Sequence, residues 1–168
     1  AGLLASAYKK HSGFPRIAIT VPSIVIMVPG LYLSRRDGNV VTLDLRFKRP
    51  NTGELLSNSQ MHSVEHLIAT LLRNSESRDA VIYFGPMGCQ TGFYFLYDGD
   101  KLTGSQAIAL LQAVFARAAE YSGPMPGCSA AECGNYKNLS VEEGRACCAW
   151  YRDLIASWTE EKLKYPAK

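Results

Sequence analysis

From residue 16 to 47 the chain is rich in Ile, Val, Thr and Leu, broken by Pro22, Pro29-Gly30 and Asp37-Gly38-Asn39. That pattern predicts strands joined by turns. Within 40–47, Val41, Leu43 and Leu45 alternate with Thr42, Asp44 and Arg46. This period of two predicts a strand with one dry face. The stretch Arg35-Arg36-Asp37-Gly38-Asn39 before it is the expected hairpin tip.

The period then changes. Leu67, Ile68, Leu71 and Leu72 form the apolar face of a helix expected over 58–74, with Ser57 or Ser59 as its cap. Strands are expected over 80–84 and 91–97, joined through the turn Gly85-Pro86-Met87-Gly88-Cys89. A second helix is expected over 105–121, where Ile108, Leu111, Val114, Phe115 and Ala118 recur at helical spacing. A loop rich in Gly, Pro and Cys follows over 122–138. A last helix is expected to begin at Ser140, where Ser140-Val141-Glu142-Glu143 has capping-box spacing, and to run to about residue 163. Strands followed by mixed strands and helices, without regular βαβ alternation, imply an α+β fold: an antiparallel sheet with helices on one side.

At 168 residues the chain is expected to form one domain over 1–168. Charges of both signs are scattered and sum to +3, with no basic stripe, which gives no reason to expect a nucleic-acid partner. No apolar run reaches the ~18 residues of a membrane span, so no membrane partner is expected. The odd count of five cysteines, with Cys147 and Cys148 adjacent, argues against a disulfide framework. Reduced thiols in a cytoplasmic protein are expected instead.

Candidate chemistry sits in three short blocks. In His62-Ser63-Val64-Glu65-His66, the two histidines are four residues apart on the expected helix, so both imidazoles can face one ion. Glu65 shares that face and can move protons at a bound ligand, the inverted-zincin order. A third metal ligand must come from elsewhere; Cys133 is the candidate, since Cys133-Gly134 lies in a loop that fills no core position. Two imidazoles and a thiolate suit iron(II), zinc or cobalt(II), and a fourth position left open makes such a site catalytic. Cys89, flanked by Gly88 and Gln90-Thr91-Gly92, is the candidate base or nucleophile, provided that a neighbouring cation lowers its pKa. Cys128, Cys147 and Cys148 read as structural.

These three blocks, His62-Ser63-Val64-Glu65-His66-Leu67, Pro86-Met87-Gly88-Cys89-Gln90-Thr91-Gly92-Phe93-Tyr94 and Glu132-Cys133-Gly134-Asn135-Tyr136, resemble the S-ribosylhomocysteine lyases of the LuxS family in order and approximate spacing. Asp44-Leu45-Arg46-Phe47 with Pro50-Asn51 resembles that family's strand ahead of its metal helix. In the first forty residues, Ser6 and His11 keep the separation of the family's substrate-contacting serine and histidine. Lys10 stands where the family usually has an aspartate, and 23–33 is longer and more apolar than its usual strand and turn.

The resemblance implies cleavage of S-ribosyl-L-homocysteine to L-homocysteine and 4,5-dihydroxy-2,3-pentanedione, the autoinducer-2 precursor. An unactivated thioether does not break by itself, so the sugar carbonyl must first migrate from C1 to C3 and set up β-elimination. By resemblance, Cys89 and Glu65 are catalytic, Ser6, His11 and Arg46 bind substrate, and His62, His66 and Cys133 hold one divalent metal per subunit, Fe2+ foremost, on the central helix. The resemblance also implies a homodimer with sites at the interface, to which Ile24-Val25-Ile26-Met27-Val28 contributes. For Arg46 the competing reading is an ion pair with Asp44 or a neighbour on the sheet surface. Two rival functions remain: a metallopeptidase using Glu142 or Glu143 as third ligand, and a non-enzymatic metal-binding or redox-sensing module with Cys89 or the Cys147-Cys148 pair as its responsive thiol.

Overall fold

The computed structural model describes residues 27–166. Four antiparallel strands, β1 (Gly30–Asp37), β2 (Val40–Arg46), β3 (Val81–Pro86) and β4 (Gly92–Asp98), form one sheet in the order β1-β2-β4-β3. Helices α1 (Asn58–Arg73), α2 (Gly104–Ala119) and α3 (Val141–Ile155) pack against it, giving the expected α+β arrangement. β3 is an edge strand, which is why it can run into Pro86: the missing N–H is not needed there.

Alternation decides what faces the helices. Leu31, Leu43, Leu45, Phe93 and Phe95 have no exposed surface and meet Val64, Leu67, Ile68 and Leu72 of α1 and Leu111 and Phe115 of α2 in one core. Each such Leu or Phe contributes about 1.5–3 kcal/mol by leaving water. Just beyond β2, Phe47 lies parallel to Tyr151 of α3, ring centroids 4.2 Å apart, and edge-on to Phe93 at 5.0 Å. The Tyr151 hydroxyl donates to the Gly30 carbonyl at 2.9 Å, tying α3 to the start of β1.

Both long-range helices ahead of the last loop start with reciprocal caps. Ser57, rather than Ser59, caps α1, because Gln60 sits three residues on and returns its side chain to the Ser57 N–H. Thr103 and Gln106 do the same for α2, a pair the sequence reading passed over.

Four expectations need correction. The hairpin tip is only Gly38-Asn39, because Arg35, Arg36 and Asp37 pair with Thr42, Val41 and Val40. Capping at Ser140 is one-sided: its hydroxyl accepts from the Glu143 N–H, but its own N–H donates to Ser63 Oγ at 2.9 Å instead of to Glu143. The last helix stops at Ile155, not near 163. There Gln112 takes over the Ile155 carbonyl at 2.8 Å, and the Trp158 indole N–H reaches the Leu31 carbonyl at 2.7 Å, which turns the chain back over the sheet edge into a short 3-10 turn at Glu160–Leu163. Finally, β2 is dry on both faces. Thr42, Asp44 and Arg46 are buried like the leucines between them, and Tyr165, its ring stacked on Tyr32 at 5.0 Å, donates to Asp44.

Candidate metal centre and thiol pocket

α1 delivers His62 and His66 from successive turns, with ring centroids 4.7 Å apart and nearly perpendicular. The Cys133 sulfur lies 3.2 Å from His62 Nε2, and one ligand atom from each of the three residues falls within 4.8 Å of the others. No other group of three such side chains converges this way among the described residues. Glu142 and Glu143, the peptidase alternative, open α3 instead, with Glu142 held by the Ser140 hydroxyl.

The loop is built to present these atoms. His66 Nδ1 is 2.8 Å from the Pro126 carbonyl, a pure acceptor, so that nitrogen carries the hydrogen and Nε2 is left with its lone pair. The contact needs Gly127: its φ of 66° suits glycine, and a Cβ there would stand 2.9 Å from His66 Nδ1. The Asn135 N–H points at the Cys133 sulfur at 3.4 Å. On the adjoining face of α1, Gly144 lets α3 come close, since a Cβ there would meet Leu67 and Ser63 at 2.8 and 3.1 Å. Burial, then the neighbouring His66, pushes the His62 pKa down and favours the neutral ring that a cation needs. Burial pushes the Glu65 carboxyl up, with His66 opposing.

Cys89 sits at the other end of a polar chain on the sheet. Arg46 places Nη2 2.6 Å from Asp44 Oδ2 and Nη1 2.5 Å from the Thr91 hydroxyl, whose oxygen is 3.0 Å from Cys89 Sγ. Tyr165 donates to the same Asp44 oxygen at 3.0 Å. The Arg46–Asp44 ion pair is therefore present, but buried rather than on the surface. Among the described residues Arg46 Nε and Asp44 Oδ1 are buried without partners. Burial pushes the Asp44 carboxyl up, and Arg46 and Tyr165 hold it back. For Cys89, burial works against ionisation, but the Thr91 hydroxyl and N–H and the Arg46 guanidinium together outweigh it, and the thiol falls below its ordinary value. The turn itself is fastened to α1: Gln90, at φ 61°, donates its side-chain amide to Asn58 Oδ1 at 2.9 Å, one turn ahead of His62.

A family profile described as S-ribosylhomocysteinase (LuxS) matches residues 19–162. The chain belongs to the LuxS family. It is 41% identical over 143 residues to the S-ribosylhomocysteine lyase of Borreliella burgdorferi, covering 82% of this chain and 90% of that protein. The S-ribosylhomocysteine lyase of Clostridium beijerinckii is 39% identical over 146 residues, covering 83% and 91%. That of Clostridium acetobutylicum is 35% identical over 156 residues and covers 90% of this chain and 98% of its own length.

For a LuxS-family chain the donor set fits a divalent cation: two imidazoles, one held from behind by a backbone carbonyl, and a sulfur within reach of both. Ser6 and His11 lie outside the described residues, as does most of the apolar 24–28 stretch. Sequence reasoning missed Ser63, Thr91, Pro126, Gly127 and Tyr165. Ser63 and Thr91 stood inside quoted blocks without a role of their own; Pro126, Gly127 and Tyr165 reach the site through chain folded back from far away. Cys148 is fully buried in α3 and burial drives its thiol up, consistent with a structural role.

Proposed function

We propose that this chain is an S-ribosylhomocysteine lyase, a single metal-dependent domain that releases L-homocysteine and 4,5-dihydroxy-2,3-pentanedione. The observation that carries the reading is the convergence of His62, His66 and Cys133, donors from one helical turn and from a loop some seventy residues on, in a chain of the LuxS family. These three residues would hold the cation, with iron(II) foremost and zinc or cobalt(II) also suited to the set. Such a cation supplies Lewis-acid polarisation of the sugar oxygens.

The protein's own side chains divide the proton traffic. Cys89, as thiolate, takes and returns protons at carbon while the carbonyl moves from C1 to C3. Glu65 takes and returns protons at oxygen, and burial shifts its carboxyl upward, the direction that suits a group serving as acid as well as base. With the carbonyl at C3 the sulfur on C5 stands β to it. Removal of the C4 proton, a step assigned to Glu65, then breaks the C5–S bond, and homocysteine leaves with a proton on sulfur. Ser6, His11 and Arg46 bind the substrate.

The protein acts as a cytoplasmic homodimer with its sites at the interface. Tyr83 and Tyr94, exposed rings on the sheet face turned away from the helices, support an apolar contact there. The five free cysteines support a reducing compartment. No helix among the described residues is long and apolar enough to cross a membrane.

Anaerobically purified protein loaded with iron(II) or cobalt(II) and given S-ribosylhomocysteine is expected to release one thiol per substrate, measured by thiol titration. A loaded protein that frees no thiol would reject the assignment. Elemental analysis of the same preparation identifies the metal.

A further inference from the structure

The hydrogen count around Cys89 fixes the direction of its hydrogen bond. A guanidinium has only donors, so Arg46 Nη1 donates to Thr91 Oγ1. The hydroxyl keeps one hydrogen of its own, and Thr91 is buried with 3% of its surface exposed. Among the described residues Oγ1 has two partners, Arg46 and Cys89 Sγ. Were the thiol the donor, the Thr91 hydrogen would be buried without an acceptor, a loss larger than an ordinary hydrogen bond is worth. Donation from Thr91 to sulfur leaves no such orphan, and it is favoured further when the sulfur is charged.

The hydroxyl has little freedom to turn away. The Thr91 carbonyl accepts from the N–H groups of Phe47 and Lys48 at 2.9 and 3.0 Å, which locks the residue to the end of β2. Its β-branched side chain is stiff about χ1. At the other end of the guanidinium, Asp44 and Tyr165 hold Arg46 in place from the opposite side.

We propose that Thr91 is a positioning residue for Cys89: its hydroxyl donates to the sulfur, brings the influence of the Arg46 charge to it, and holds it as an aimed thiolate. The functional consequence rests on the role proposed above for Cys89, but the hydrogen bond does not. The lowered thiol pKa agrees with it.

The test is the pH dependence of alkylation at Cys89 in the metal-loaded protein, followed by mass spectrometry of its peptide so that the exposed Cys128 does not interfere. Thr91→Val keeps the shape and removes the hydroxyl. Its midpoint is expected to rise by about one pH unit, a tenfold loss of thiolate on the acid side. Thr91→Ser is expected to titrate close to the natural protein. The acid limb of kcat/KM should move up with the Thr91→Val midpoint while metal content stays constant. A Thr91→Val midpoint identical to that of the natural protein overturns the proposal, as does a Thr91→Ser midpoint displaced as far as that of Thr91→Val. If valine is not accommodated, Thr91→Ala gives the same readout. An undiminished lyase rate in Cys89→Ala would instead sink the catalytic role of Cys89, leaving the alkylation result to decide Thr91 by itself.

Discussion

Two sulfurs in this protein are prepared for chemistry in opposite ways. Cys133 hangs in a loop beside two imidazoles that offer lone pairs, and a cation is what the three share. Cys89 stands on a strand turn beside a guanidinium and a hydroxyl that offer hydrogens, and a thiolate is what those two favour. One pocket is rich in acceptors and the other in donors. The same side chain is thus directed to metal ligation or to proton transfer by the hydrogen-bonding character of its neighbours.

The strongest way to break this comparison is to exchange the roles. Cys133→Ala is expected to strip the protein of metal and to lower turnover by about 10³-fold or more, since Lewis-acid assistance is worth several kcal/mol. Cys89→Ala should keep a full complement of metal and still lose about 10²–10⁴-fold in turnover. Elemental analysis beside a thiol-release assay reads both. Equal metal loss in the two variants would erase the distinction.

pH separates the two pockets as well. The Cys89 thiol lies below its ordinary value, so the thiolate is lost only as pH falls through that lowered value. The acid limb of turnover is therefore expected below the range of an unperturbed thiol, and a limb at the ordinary thiol value would remove the Arg46–Thr91 environment from the account.

Smaller effects sharpen the picture. Ser63→Ala deprives the Ser140 N–H of its acceptor and loosens the loop that carries Cys133. A loss of about 1 kcal/mol in urea unfolding is expected, together with metal binding weakened by about tenfold and an unchanged Cys89 titration. Tyr165→Phe removes one donor from Asp44 on the other pocket's side. It should cost about 0.5–1.5 kcal/mol and leave metal affinity untouched.

The chain's periodicities carry much of this protein. The alternation of Val41, Leu43 and Leu45, the apolar stripe of α1 and the His-x-x-Glu-His spacing are local properties, each fixed by the repeat of one element. They predicted the α+β class, the strand and helix that frame the site, and the pairing of His62 with His66. Cys133 was the candidate third ligand because it lies beside Gly134 in a loop that fills no core position, and the blocks resembling the LuxS family pointed to the same residue; no local rule links residues seventy positions apart.

Tertiary structure decided what periodicity cannot express. Thr42, Asp44 and Arg46 alternate as a solvent face should, yet all three are buried, and Tyr165, stacked on Tyr32, reaches Asp44, so that the expected surface ion pair is a buried one. The Ser140 N–H found Ser63 rather than its neighbour Glu143, and α3 ended where Gln112 and Trp158 offered partners from other elements. In each case the local pattern counted hydrogen bonds and apolar surface within one element. The folded chain satisfies the same groups with whatever distant residue packing brings nearest, and the Arg46 charge joins the local Thr91 hydroxyl at Cys89 through that longer-range choice.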